Sequence, residues 1–286
     1  TFKGSLQNTE SISSWSNVSN IEGSFINDAG ANIGSLSAGQ IAENLLNKGN
    51  IGDLTIDNVV GTLSNESEIT TLSVQNRVAN GILNSGNIQT LTLESNADLG
   101  SVGVSNDGVI TSLNNHKAGM QITNAQGIGT LAVYANTTYA GDNGNISQEL
   151  VINQGSGQTT TFTIQGTNQT LTLGGTGNGG VKTITNEGTI IGNLINTLTT
   201  NWIGGTLEGN FTNNSGATLE SLFNGNAGTI TGNLINAGSI VSLDSGTIGG
   251  SLDNQAGGII NTLHSSVVEN LSNAGVVKDF IVDSDM

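Results

Sequence analysis

The chain has no cysteine and no proline among its 286 residues. Without cysteine there is no disulfide framework and no thiolate nucleophile or metal ligand. That is neutral for a cytosolic protein and also suits a chain which stays unfolded through an oxidising compartment before export. Aromatic residues make up 3% and charged residues 10%. Positive charge is scarcest, with 6 Lys and Arg against 22 Asp and Glu, a formal net charge of -16. Such a surface repels nucleic acid and anionic membranes. Lys3, Lys48, Arg77, Lys117, Lys182 and Lys278 are scattered along the sequence, so no basic patch offsets it. No apolar run approaches the roughly 18 residues of a membrane-spanning helix. Two histidines, His116 and His264, stand far apart, and two isolated imidazoles do not make a transition-metal site.

What is abundant is Gly, 42 residues of it, together with Asn, Ser and Thr. Regularly placed Ile, Leu and Val distinguish the chain from a disordered one, because they can form a continuous buried stripe. One phrase recurs: Leu45-Leu46-Asn47-Lys48-Gly49-Asn50-Ile51, Leu83-Asn84-Ser85-Gly86-Asn87-Ile88, Leu234-Ile235-Asn236-Ala237-Gly238-Ser239-Ile240. Its marker Asn falls at 8, 27, 47, 65, 84, 106 and 124, then at 196, 213, 236, 254 and 273, with gaps of 17 to 23 residues. Spacing of this kind marks a solenoid, in which each repeat stacks on the last.

The apolar offsets fix the type of coil. After Asn47 they are Ile51, Leu54, Val59 and Leu63, at 4, 7, 12 and 16; after Asn236 the same offsets carry Ile240, Leu243, Ile248 and Leu252. Residues on one face of a straight strand are an even number apart. The odd steps from 4 to 7 and from 7 to 12 therefore each place a bend. A third bend falls at Asn-x-Gly, where both residue types tolerate left-handed backbone angles. Three short strands and three bends predict an all-β fold, a three-sided right-handed parallel β-helix of about 14 or 15 coils running continuously over 1–286. The recurring Asn is expected to form a ladder from coil to coil. A leucine-rich repeat places Asn differently and needs helical segments. A trimeric coiled fibre needs heptads, which are missing.

The register is cleanest over 41–95 and 183–280, and loosens over about 134–182. That stretch holds both tyrosines, Tyr134 and Tyr139, then Asp142, Asn143 and Asn145, and a Gly-rich run from Gly174 to Gly180. Irregular coils are where a solenoid places its contacts, so Tyr134, Tyr139, Asp142, Asn143 and Asn145 form the candidate contact region. Trp202 is expected to fill the core and Trp15 to cover an end.

Motifs for chemistry are sparse. Asp244-Ser245-Gly246 sits inside a regular repeat. The run Gly174–Gly180 lacks the Lys-Ser/Thr of a phosphate loop. Two carboxylates on neighbouring coils would lie about 5 Å apart, near the spacing for glycoside hydrolysis, and Glu208 and Glu220 are the pair to test. No basic or aromatic subsites accompany them. The expectation is a chain that is not an enzyme and takes no cofactor or metal. Glu208-Gly209-Asn210-Phe211-Thr212 fits an acidic-x-Asn-x-Ser/Thr glycosylation pattern, which makes Asn210 a candidate for modification.

The repeated Gly-Asn-Leu-Ile-Asn-x-Gly-x-Ile, free of Pro and Cys, resembles the passenger domains of type V autotransporters, above all the Asn/Gly-rich passengers of Campylobacter and Helicobacter. The resemblance covers nearly the whole chain and rests on structural repeats. It implies export through the periplasm and across the outer membrane by a C-terminal β-barrel absent from this chain, which would be the passenger or part of it. It implies display at the bacterial surface or release, and an adhesin that contacts a host-cell or matrix component, protein or glycan, or that self-associates. A toxin-like or pore-forming passenger and a carbohydrate-active β-helix enzyme are the alternatives.

Overall fold

In the computed structural model the described residues are 1–142, 144–152, 161–168, 171–174, 182–223, 228–243, 246–264 and 267–282. Among these residues parallel strands stack in about 13 turns of a β-solenoid, rather than the expected 14 or 15, with no α-helix. The chain divides into two compact units, Thr1–Thr138 and Tyr139–Met286. The division falls inside the stretch where the sequence repeat loosens.

In the first unit, Leu6–Asn8, Phe25–Asn27, Leu45–Asn47, Leu63–Asn65, Ile82–Asn84 and Val104–Asn106 stack with equivalent residues aligned. The long strands Asn32–Ile41 and Asn50–Val59 run beside them. Their pairing skips Gly52 and Asp57, at offsets 5 and 10 from Asn47. These are the two bends that the odd steps demanded. Around them Ile51, Leu54, Ile56 and Val59 point inward and are at most 1% exposed. Burying each such side chain stabilises by about 1.5–3 kcal/mol.

The second unit uses the same plan. Leu194–Asn196, Phe211–Asn213 and Leu234–Asn236 form one column. Thr199–Ile203, Thr218–Leu222, Ser239–Leu243 and Ile259–His264 form another. A third holds Thr189–Ile191, Gly205–Glu208 and Gly228–Ile230. Trp202 is buried with its ring edge-on to Phe211, centroids 6.0 Å apart, so it fills the core as expected. At the start of the first unit, Trp15 lies between Phe2 and Phe25, at 5.5 and 6.2 Å, and covers the first coil.

The marker Asn side chains form the expected ladder. In the first unit Nδ2 of Asn8 donates to Oδ1 of Asn27, and so on through Asn47, Asn65, Asn84 and Asn106 to Asn124, with rungs of 2.7–2.9 Å. In the second unit the same bonds link Asn196, Asn213, Asn236, Asn254 and Asn273. Interior rungs are at most 1% exposed. The second Nδ2 hydrogen is used too: that of Asn47 reaches the Glu68 carbonyl at 3.0 Å. Each amide thus replaces the water it lost, which is what makes burying it tolerable.

The glycines of the repeated phrase have a different role from the expected one. Gly49, Gly86 and Gly238 do not have positive φ, and neither do the ladder asparagines; Phe223 is the one non-Gly residue with positive φ among those described. The phrase needs Gly because the coil below is too close for a side chain. A Cβ on Gly49 would lie 2.3 Å from the Ala31 carbonyl oxygen, and one on Gly86 2.0 Å from that of Ser67. The chain contains its own control. Ser67 carries a Cβ at this position, and there the amide of Glu68 reaches the Gly49 carbonyl at 3.4 Å, against 2.9 Å for Asn50 to Ala31.

Two polar residues intrude on one apolar column of the second unit. Lys182 and Thr200 occupy the inward position that later coils give to Leu219, Ile240 and Ile260. Both are buried, and the Thr200 hydroxyl has no hydrogen-bond partner. Thr200→Val keeps the shape and removes the unpaired group, so it should stabilise the protein by about 1 kcal/mol. A lower urea midpoint for the variant would refute this.

Candidate contact surface

The ladder saturates the asparagines between its ends, so along the coils contact groups come from outward positions. At the bend ten residues past each ladder Asn, successive coils present Asp57, Gln75, Glu94, His116 and Tyr134. A shallow groove of about 480 Å³ flanks the first of them, lined by Ser19, Ser37, Thr55, Asp57 and Gln75 over a floor that includes Val18 and Ala38. Further along, the rings of His116 and Tyr134 stack at 4.0 Å with an interplanar angle of 11°. The backbone fixes both: the His116 amide donates to the Leu93 carbonyl and the Tyr134 amide to that of Asn115, at 2.9 and 2.8 Å. Beneath them Asn115 donates to the Thr137 hydroxyl at 2.8 Å, and its Oδ1 accepts the Lys117 amide at 3.0 Å.

Tyr134 is 42% exposed. Each ring covers one face of the other, and the pair carries the phenol hydroxyl and the imidazole nitrogens at its edge. That is an aromatic step with hydrogen-bonding groups at its edge. The sequence reading picked Tyr134 and passed over His116. A signal was there to use: both lie ten residues after a ladder Asn, Asn106 and Asn124, so stacking is dictated by the register.

The other residues of the contact region separate. Tyr139 is 1% exposed and packs against Phe162 with centroids 6.0 Å apart. It is a core residue of the second unit, a correction to its expected place at the surface. Asn145 is half-buried and opens the strand Asn145–Ile152. Asp142 ends the strand Thr137–Asp142, and its side chain lies outside the described residues, as does Asn143 altogether.

Asn210 is half-buried on the outside of the second unit. Its amide donates to Asn193 Oδ1 at 3.0 Å, and its own Oδ1 accepts from the amide of Asn233 at 2.8 Å. It is one rung of an outer ladder that continues from Asn233 to the amide of Ser251. This pins the side chain that the glycosylation pattern selects.

Glu208 and Glu220 do not stack. Glu208 aligns with Ile191 in one column, while Glu220 is the extra residue at a register shift in another, between Leu219 and Ser221. The carboxylate pair considered from sequence is therefore not a pair of equivalent positions. Among the described residues no group of three or more His, Cys, Asp or Glu could hold a metal ion. A second groove, about 440 Å³, runs along the second unit over Gly205, Thr206, Gly228, Thr229, Gly246 and Thr247. Its threonines stack in register from coil to coil. Compared with family models, curated proteins and solved structures, the chain matches none.

Proposed function

We propose that the chain is an autotransporter passenger, displayed on a bacterial surface or secreted, that acts as an adhesin. The observation that carries the reading is the His116–Tyr134 pair. It is a partly exposed aromatic pair at the outward bend of its coils, at the point where the repeat lapses. The row from Asp57 to Tyr134, with its polar groove, gives a host-cell or matrix component a long line of hydrogen-bonding groups at the coil spacing of about 4.8 Å. The coil-by-coil architecture supports the export route. Each coil needs only its neighbour, so folding can proceed as the chain emerges, and no disulfide can form on the way.

Purified chain is expected to bind host cells or immobilised matrix proteins and glycans saturably. Tyr134→Ala should weaken that binding about tenfold, as loss of an aromatic anchor does, with melting temperature unchanged. Absence of saturable binding on all these surfaces would remove the adhesin reading. Unaltered binding by both Tyr134→Ala and His116→Ala would move the site elsewhere.

A further inference from the structure

Along the first unit the short strands Leu63–Asn65, Ile82–Asn84 and Val104–Asn106 bury their first and third residues and turn the middle one outward. In successive coils that middle residue is Ser64, Leu83 and Ser105. The serines are half-buried, whereas Leu83 is 43% exposed. A single outward leucine is ordinary on a protein surface. Its surroundings give this one a role.

The residue after each ladder asparagine forms a column beside it. The amides of Lys48, Glu66, Ser85 and Asp107 each donate to the carbonyl of a ladder Asn in the previous coil, at 2.8 Å, so these four positions are equivalent. Glu66 and Asp107 therefore stand two coils apart, about 10 Å at the backbone, with Ser85 between them. The Ser85 hydroxyl folds back onto the Asn65 carbonyl at 3.3 Å and leaves the space open. The result is a cavity of about 250 Å³ lined by Ser64, Glu66, Leu83, Ser85 and Asp107 beside the ladder. Both carboxylates are exposed, and among the described residues neither has an ion-pair partner. Lys48, one coil before Glu66, ends the acidic stretch on that side.

We infer that this cavity receives a long basic side chain, Lys or Arg, from a basic segment of a partner protein. Size selects a side chain: the cavity is smaller than the roughly 300–1,000 Å³ that a whole small-molecule ligand occupies. Leu83 gives the methylene stem an apolar wall, the way long cationic side chains lie on a surface while the head stays in water. The carboxylates on either side offer the head charge-assisted hydrogen bonds. The net charge of -16 draws a basic segment toward the chain and repels anionic glycans, lipids and nucleic acid. The inference goes beyond the adhesin reading and does not rest on it, because the cavity shares no residue with the row from Asp57 to Tyr134.

The test is fluorescence anisotropy of the 286-residue chain with a short labelled peptide of alternating Arg and Ser. Binding should saturate and weaken as salt rises. The same peptide with Glu in place of Arg should not bind. Leu83→Ser, and separately the pair Glu66→Gln with Asp107→Asn, should each weaken binding about tenfold. All three side chains are exposed, so melting followed by circular dichroism should match the parent. Glu22→Gln with Asp53→Asn removes two exposed charges outside the cavity and should leave the affinity close to that of the parent. Absence of saturable binding, an unchanged affinity in Leu83→Ser, or equal losses in the two charge-removing pairs would each overturn the inference. The last result would mean attraction by net charge alone. A chain that binds cells through Tyr134 but not the peptide would overturn this inference and leave the adhesin reading in place. Peptide binding by a chain that binds no cell would do the reverse.

Discussion

Asn65→Leu is expected to destabilise the first unit by about 3–5 kcal/mol, the sum over several buried polar groups left without partners. Asn65 accepts from Asn47 at 2.8 Å, donates to Asn84 at 2.8 Å, and reaches the carbonyls of Ser67 and Asn87 at 3.1 and 3.2 Å. Leu fills the space and contributes apolar burial, but the amide of Asn47 loses its acceptor and the Oδ1 of Asn84 its donor. Both are at most 1% exposed, so water cannot replace the loss in place. Because solenoid stability is carried by contacts between neighbouring coils, the break should also weaken cooperativity. Urea titration followed by circular dichroism should show an earlier and broader transition. A midpoint within experimental error of the parent would mean that the ladder is geometric rather than energetic.

The second large effect concerns Phe223. Its φ is +68° and its side chain is 1% exposed. A left-handed backbone on a bulky residue costs about 1–3 kcal/mol and persists only where the surroundings enforce it. The enforcing groups are Gly228 and Gly246. A Cβ on either would lie 2.0 Å from the Phe223 ring, at Cδ1 and Cδ2 respectively. The ring occupies a slot that exists because both side chains are missing. Gly228→Ala should therefore evict it, at about 3 kcal/mol, the scale of losing a buried aromatic. In a Phe223→Ala background the same substitution should cost little, and this coupling is the quantity to measure. Additive effects in a thermal-unfolding cycle would show that the two sites do not share the slot.

Most of the coil was legible in the sequence because it is periodic. The even-step rule applied to Ile51, Leu54 and Val59 found both bends, and the spacing of the marker Asn found the rungs of the two Asn ladders. The reason for the glycines was not legible. Whether Gly49 or Gly86 serves backbone freedom or close approach depends on the carbonyl of the coil beneath, which no local pattern reports. Tyr139 was misplaced for a related reason. Where the ladder lapses there is no reference from which to count inward and outward positions, and a polar-looking neighbourhood of Asp142 and Asn145 made it look exposed. Thr200 escaped notice because a hydroxyl at a core offset reads as a break in the pattern until the register shows the column it belongs to.

The ladder also imposes order of another kind. Every amide in a unit points the same way, so no asparagine can turn over by itself. A reversed amide would set donor against donor on one side and acceptor against acceptor on the other. Orientation is thus a collective property of the column, and aligned amides polarise one another in the dry interior. In the first unit the backbone makes the same choice at successive rungs: Nδ2 of Asn47 also donates to the Glu68 carbonyl and that of Asn106 to the Gly127 carbonyl, both at 3.0 Å. A reversed amide would therefore set oxygen against oxygen at its own backbone as well as along the column, so each coil reinforces the polarity of its neighbours.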